Sequence, residues 1–127
     1  MLDKNIKTYY PYLHFLVRVL IGLLFFIHGG SKLFGWFGGT PVELASLFGA
    51  AGIIEFVVGI ALLVGFYVRL GALLGAATML YAFFFHVKGA GSLNPLANGG
   101  ELALVYFLVF LAILMHGAGK WSLEKKL

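Results

Sequence analysis

Two residues that could do chemistry stand inside long apolar stretches of this sequence. Arg18 interrupts the first stretch and Glu55 the second, and a charge in hydrocarbon rarely faces lipid. At about 1.5 Å per residue from the predicted inner ends of their helices, Arg18 lies about 10 Å deep and Glu55 about 15 Å deep. An arginine side chain can bridge that difference, so the spacing predicts an Arg18–Glu55 ion pair near mid-membrane. Such a pair either fixes how two helices dock or takes part in binding or proton handling.

A second group of polar residues falls near the outer ends of the helices. By the same count, His28 and His86 each lie about 26 Å from the predicted inner ends of their helices, and Glu101 lies about 22 Å from the inner end of its helix. Lys32 follows His28 by one helical turn. These four residues, His28, Lys32, His86 and Glu101, are predicted to line a ligand pocket beneath a glycine-rich loop. Ordinary interfacial residues at helix ends would give the same pattern. A haem between the two histidines is a further alternative, and no other metal site is predicted.

The composition indicates what surrounds these charges. Of 127 residues, 61% are hydrophobic and 11% are charged, and a soluble domain of this length could not bury so much apolar surface. A disordered chain is excluded too, and so is a nucleic-acid-binding module, because the nine Lys and Arg residues are scattered. The chain has no cysteine, which excludes disulfides, Cys-ligated zinc and iron–sulfur clusters. The expected partner is therefore the lipid bilayer.

Four long apolar stretches, divided by glycine-rich or charged breaks, can supply the membrane-spanning elements. A spanning helix needs about 20 residues, and open sheet edges do not occur in lipid. The sequence therefore predicts an all-α fold, an integral membrane four-helix bundle that forms one domain over residues 1–127. The predicted spans are about 11–28, 50–67, 69–86 and 100–116.

Helical spacing predicts which side of each span points inward, because residues three and four apart share a face. Small and polar residues are expected on that face. The predicted inward residues include His14, Arg18, Gly22, Phe25 and Gly29 in the first span, Gly52, Glu55 and Gly59 in the second, Ala72, Ala76, Met79 and Phe83 in the third, and Glu101, Val105, Leu108, Ala112 and Met115 in the fourth.

The first outer loop is predicted to contain a short helix. The sequence Thr40-Pro41-Val42-Glu43 has the form of a capping box, with proline at the first helical position. One unbroken helix from there to Phe66 would be about 39 Å long, which exceeds the roughly 30 Å hydrocarbon core. We therefore expect an interfacial helix over Pro41–Phe48, followed by the second span.

The Lys and Arg distribution predicts the orientation. Six of these residues fall on the side of the two termini, namely Lys4, Lys7, Arg69, Lys120, Lys125 and Lys126. Only Lys32 and Lys88 fall on the other side. Positive loops stay in the cytoplasm, so both termini are predicted to be cytoplasmic.

Several motifs occur in an order that resembles the DoxX family. They are Arg18-x-x-x-Gly22 and His28-Gly29-x-x-Lys32 in the first span, Glu55-x-x-x-Gly59-x-x-Leu62-Leu63-x-Gly65-x-x-x-Arg69 in the second, and Gly100-Glu101 and Gly117-x-Gly119-x-x-Ser122 around the fourth. The resemblance covers roughly residues 12–122. Each motif is short, and the ordered set carries the resemblance.

The resemblance implies a small four-helix protein of the bacterial inner membrane. The family's name comes from a subunit associated with thiosulfate:quinone oxidoreduction, so a quinone-linked oxidoreductase subunit or accessory is implied, with a redox partner subunit or a homo-oligomer. In that function the four pocket residues would supply polar groups to a quinone, and Phe25 and Phe83 would form walls. The alternative is a non-catalytic membrane module that binds a partner protein, a lipid or a small hydrophobic ligand. Whether the chain is catalytic stays open, with quinone the preferred ligand and haem the lesser alternative.

Overall fold

Helices make up most of the computed structural model, which describes residues 2–43 and 45–123. In chain order they are α1 (Leu2–Phe34), α2 (Leu47–Val64), α3 (Val68–Ala90), the single-turn α4 (Pro95–Asn98) and α5 (Glu101–His116). Within the described ranges there is no β-strand. By length and composition α1, α2 and α3 can each cross a membrane, and α5 is a shorter apolar helix of 16 residues. The predicted all-α membrane bundle is confirmed.

The long helices alternate in direction, which gives the bundle two different ends. A tight turn at residues 65–67 joins α2 to α3, so these two helices are antiparallel neighbours. We call the end with this turn and the residues after α5 the termini end. The opposite end carries the 35–46 loop and the connection that contains α4, and we call it the loop end. The turn depends on Gly65, whose φ of 75° lies in the left-handed region that favours glycine.

α1 and α2 pack at backbone distance because glycines line their shared face. Gly29 rests on the backbone of Phe56, and Gly59 rests on the backbone of Phe26, so a Cβ at either glycine would collide with main-chain atoms. At Gly22, nearer the termini end, a Cβ would come within 2.8 Å of the α2 backbone. Small residues permit this close approach in membrane helix pairs. These glycines lie on the predicted inward faces of the first two spans.

α3 packs against α5 through a glycine and a ring. Gly75 lies under Phe110, whose ring carbons would be 2.7–2.9 Å from a Cβ at that position. Phe110 is fully buried and forms the centre of the apolar core with Phe25 and Leu62. The ring fills the volume that the glycine leaves open, so the two helices interlock without a void.

The inward face predicted for the fourth span is wrong. The buried residues of α5 are Ala103, Tyr106, Phe110 and Ile113. The predicted residues Val105, Leu108 and Met115 are instead 49%, 56% and 75% exposed, and Ala112 is exposed too. Because nearly every residue of this helix is apolar, its hydrophobicity does not distinguish a lipid-facing side from a core-facing side.

The helix predicted over Pro41–Phe48 is not formed by the described residues of the loop between α1 and α2, which are 35–43, 45 and 46; residue 44 lies outside the described residues. Residues 39–43 have no regular structure, and the loop's short helical element is a 3-10 turn at Trp36–Gly38. The N-cap of α2 is Ser46, whose Oγ accepts a hydrogen bond of 3.0 Å from the Gly49 amide. The serine hydroxyl thus accepts from one of the backbone amides that have no partner inside the first turn of a helix. The capping box at Thr40–Glu43 does not begin a helix.

Candidate functional site

Lys32 and Glu55 form a salt bridge at the loop end of the α1–α2 interface. The Glu55 side chain is 1% exposed and the Lys32 side chain is 31% exposed. An isolated charge in such a place is costly, and losing one partner of a buried pair leaves the other uncompensated. Lys32 also stands in the last turn of α1, where the helix dipole favours a cation. The bundle thus holds a paired charge beside its core.

The predicted Arg18–Glu55 ion pair is wrong. Arg18 is fully buried, but it lies at the termini end and donates hydrogen bonds to backbone carbonyls. The acceptors are the carbonyls of Leu62 at 2.9 Å, Ala118 at 2.7 Å, Lys120 at 2.9 Å and Trp121 at 3.1 Å. The guanidinium therefore ties the chain after α5 to the middle of α1 and to the last turn of α2. We call this arrangement the Arg18 clasp.

The register of α1 on α2 explains why the ion pair was assigned to the wrong cation. Gly29 rests on Phe56, which puts Glu55 close to Gly29 along the helix axis. Lys32 is three residues from Gly29, about 4.5 Å, whereas Arg18 is eleven residues away, about 16 Å. The depths predicted from the sequence were counted from the expected ends of each helix. The actual register of α1 on α2 is set by the glycines that pack between them.

The first loop fixes the end of α1 that carries Lys32. The Val42 amide donates a 2.9 Å hydrogen bond to the carbonyl of Lys32. The indole of Trp36 lies on Gly30 and occupies the space that a Cβ would need. Three phenylalanines, Phe26, Phe34 and Phe56, form an aromatic cluster with Trp36. The centroids of the contacting rings in this cluster are 4.6–5.9 Å apart. The loop thus holds Lys32 in place without the helix that was predicted over Pro41–Phe48.

A cavity of about 180 Å³ lies beside the ion pair. Its polar lining residues are His28, Lys32, Glu55, His86 and Tyr106. Its remaining lining residues are Phe25, Met79, Ala82, Gly99, Leu102 and Ala103. All four long helices contribute, so the cavity depends on the assembled bundle. A mostly apolar pocket with a few polar groups is the common form of a small-molecule site.

Glu101, the fourth residue predicted for the pocket, does not line the cavity. It is the first residue of α5 and is exposed. The buried face of α5 begins at Ala103, and two residues along a helix correspond to about 200° of rotation. The Glu101 side chain is therefore on the opposite side, where an acidic group in the first turn is favoured by the helix dipole. The other three predicted residues, His28, Lys32 and His86, do meet at the cavity.

Tyr106 was missed by the sequence reasoning. It is 5% exposed, and its ring stands edge-on to His28 with the centroids 5.6 Å apart. The sequence did contain a signal, since Tyr106 carries the only polar side chain between residues 102 and 115. A lone hydroxyl in an apolar helix indicates an inward position, because a hydroxyl that faces lipid has no hydrogen-bond partner there.

The cavity does not fit the haem alternative. His28 and His86 both line it, as their matching depths predicted. A volume of about 180 Å³ holds a single small ring and cannot enclose a porphyrin. Among the described residues, no group of three or more His, Asp and Glu side chains could hold a metal ion.

Comparison with known proteins decides the family. A model of the DoxX family matches residues 13–88, more than half of the chain. The chain belongs to the DoxX family. Two relatives support this assignment: an uncharacterised protein of Haemophilus influenzae, 38% identical over 97% of this chain and 96% of its own length, and inner membrane protein YqjF of Escherichia coli, 33% identical over 87% of this chain and 88% of its own. No solved structure matches the chain.

Proposed function

We propose that this DoxX-family protein binds the head group of a quinone in the loop-end cavity, as a quinone-linked subunit or accessory of a membrane oxidoreductase. The observation that carries the proposal is the cavity beside the Lys32–Glu55 ion pair, with polar groups on a mostly apolar wall. Drug-sized ligands occupy about 300–1,000 Å³. The smaller cavity, about 180 Å³, suits one substituted ring.

The chemistry of the wall suits a ligand that accepts hydrogen bonds. The Lys32 ammonium has three donors, and its salt bridge to Glu55 uses one of them. Two donors are left for a carbonyl oxygen. The Tyr106 hydroxyl and the imidazoles of His28 and His86 are further hydrogen-bonding groups on the same wall. A quinone has two carbonyl acceptors on an apolar ring, which matches this set.

The electrons come from another subunit in this proposal. The chain has no cysteine for an iron–sulfur cluster or a thiol relay. Its own contribution is to bind and orient the ring, and to hold a proton on Lys32 Nζ next to the Glu55 carboxylate. The protein would then act as the quinone-binding part of a complex.

Direct binding tests the proposal. Protein purified in detergent is titrated with decylubiquinone, and the Lys32→Met variant is compared with Lys88→Met, which changes an exposed lysine of α3 outside the cavity. We expect at least a tenfold rise in Kd for Lys32→Met, about 1.4 kcal/mol, and no change for Lys88→Met. Absence of binding by the unchanged protein, or equal effects of the two substitutions, contradicts the proposal.

Turnover separates this function from that of a non-catalytic binding module. The Lys32–Glu55 pair satisfies its own charges, as a structural pair in a simple binding protein also would. Membranes that contain the protein are assayed for quinone reduction against membranes that contain the Lys32→Met variant. Binding without any difference in reduction supports the module, and a loss of reduction supports the oxidoreductase subunit.

We also propose that the protein lies in the bacterial inner membrane with both termini in the cytoplasm. The name of the YqjF relative and the positive charges at the termini end support this placement. Because the chain has no cysteine, single cysteines can be introduced without background. A membrane-impermeant maleimide added to spheroplasts should label Leu93→Cys and spare Asn5→Cys. The reverse pattern would invert the topology.

A further inference from the structure

The interface between α1 and α5 is built differently from the other helix contacts. α5 contains no glycine, and its contacts with α1 along the bundle are made by rings. Phe25 meets Tyr106 and Phe110 with centroid distances of 5.7 and 4.8 Å, and His28 meets Tyr106 at 5.6 Å. At the termini end His14 and His116 stack at 3.6 Å. We call this interface the α1–α5 seam.

The cavity reaches the loop end of this seam. On α1 its lining includes His28 and Lys32, which are one turn apart. On α5 it includes Leu102 and Tyr106, which are also one turn apart. Because Tyr106 contacts His28 across the seam, Leu102 lies next to the seam, one turn closer to the loop end. Leu102 is 56% exposed although it lines the cavity, so its side chain borders both the cavity and the outer surface of the bundle.

On the side of this opening that faces away from the loop end, the surface is apolar. Leu24 lies one turn before His28 on α1 and is 46% exposed, and Val105 lies next to Tyr106 on α5 and is 49% exposed. Exposed aliphatic side chains at this position of a membrane helix face acyl chains. A ligand bound at the polar wall could therefore extend an apolar group through the opening without contact with water.

We propose that the α1–α5 seam is a lateral opening through which the cavity takes a membrane-dissolved ligand, a ring head group that carries a long apolar tail. The head group binds beside Lys32, and the tail leaves between His28 and Leu102 into the lipid. This inference rests on the proposed function for the identity of the head group. The position of the seam follows from the helix contacts alone. A tail that lies outside the cavity fits its size, since about 180 Å³ has room for a ring and not for a long chain as well.

Spin labels test where the cavity opens. Leu102→Cys and Leu108→Cys are labelled in the cysteine-free chain, since both leucines are on α5 and both are 56% exposed. Only Leu102 lines the cavity. In liposomes we expect both labels to collide with oxygen, which concentrates in lipid, more than with a water-soluble nickel chelate. A Leu102 label that collides mainly with the nickel chelate would overturn the lateral opening.

Adding decylubiquinone makes the test specific. It should lower the oxygen accessibility of the label at position 102 and leave the label at position 108 unchanged. If the quinone binds elsewhere or does not bind, the proposed function fails, while the ratio of oxygen to nickel collisions still decides whether the seam opens to lipid. An equal response at both positions, with binding intact, overturns the inference and keeps the proposed function.

The length of the ligand supplies a second test. The unchanged protein should bind decylubiquinone at least tenfold more tightly than the same benzoquinone without a tail. Leu102→Trp, which fills the opening, should remove most of that tenfold preference, whereas Leu108→Trp should keep it. Thermal unfolding of both variants checks that the fold is retained. Equal affinities for the two quinones, or equal effects of the two tryptophans, overturn the proposal.

Discussion

The two interfaces of α1 differ in what fills them. Towards α2, glycines let backbone meet backbone, and Gly29 and Gly59 leave no space for a methyl group. Towards α5, rings such as Phe25 and Tyr106 hold the backbones apart. A backbone contact has no rotamers to change, whereas rings can turn and separate. The close contact of α1 with α2 fixes Lys32 against Glu55, and the ring contact with α5 is where we place the lateral opening.

The α1–α5 seam is fastened at one end. At the termini end the Arg18 clasp binds the chain after α5, and His14 stacks on His116. Towards the loop end the two helices meet through the ring of Tyr106, which contacts Phe25 and His28. A seam that is closed at one end and held by rings at the other has a natural opening beside the cavity.

Removing the clasp should have the largest effect. Arg18→Gln takes the charged donor away from four carbonyls, and hydrogen bonds to charged groups contribute about 1.5–3 kcal/mol each. Because the four bonds are not additive, we expect a loss of about 4 kcal/mol in unfolding free energy. Denaturant unfolding in mixed micelles measures it. The control is Arg69→Gln, which removes an exposed arginine that also donates to α5 carbonyls; a loss as large as that of Arg18→Gln would contradict the central role of the clasp.

Breaking the ion pair should have the next largest effect. Lys32→Met leaves the buried Glu55 without its cation, and losing one partner of a buried pair costs about 3–5 kcal/mol. We expect about 3 kcal/mol, because Lys32 is partly exposed and water screens it. The double variant Lys32→Met/Glu55→Gln should recover more than half of that loss in the same unfolding measurement. Additive losses would show that the two side chains do not act as a pair.

The rigidity of the α1–α2 interface can be tested with a single methyl group. Gly29→Ala places a Cβ against the Phe56 backbone, and overpacking typically costs about 1–3 kcal/mol. The matched change is Gly89→Ala in α3, where a Cβ has open space and alanine favours the helix by up to about 1 kcal/mol. We expect a loss of about 2 kcal/mol for the first variant and none for the second. Equal thermal stability of both would mean that the two backbones are not in contact.

The seam should tolerate a change at its ring contact. Tyr106→Phe keeps the ring against His28 and removes one hydroxyl, so stability should change by less than about 1 kcal/mol. If the hydroxyl donates to the ligand, decylubiquinone affinity should fall about fivefold, which corresponds to about 1 kcal/mol. Tyr81→Phe, on the exposed side of α3, should change neither quantity. A large loss of stability for Tyr106→Phe would mean that the seam is as rigid as the α1–α2 interface.

How far the sequence could be interpreted depended on the contrast within each helix. In α1 and α2 the inward face was correct because Gly22, Gly29 and Gly59 stand out among leucines and phenylalanines. In α5 the same reasoning selected the face that is exposed. Almost every residue of this helix is apolar, so a helical repeat of apolar residues does not show which face points inward. Glu101 was assigned to the pocket by its depth and by this incorrect face, and Tyr106 was overlooked.

Partners across the bundle were harder to predict than faces. The sequence showed that charges in lipid need partners, but Arg18 and Lys32 were both candidates for Glu55. The choice depends on register, and register depends on which glycine meets which backbone. The depth of Arg18 was counted from an expected helix start near residue 11. α1 in fact begins at Leu2 and extends beyond the expected span at both ends, so that count could not give the register. The four acceptors that hold Arg18 in the clasp are backbone carbonyls, which carry no sequence signature.

The sequence by itself determined that this is an all-α membrane protein of the DoxX family whose few internal charges lie on inward faces, because lipid tolerates neither open backbone nor unpaired charge. Tertiary structure alone decided that Lys32 and not Arg18 meets Glu55, that His28, His86 and Tyr106 share one cavity, and that Glu101 is outside it. The physical reason is that lipid selects residue types by burial, whereas contacts between helices are selected by shape, and shape exists only once the glycines and rings have packed.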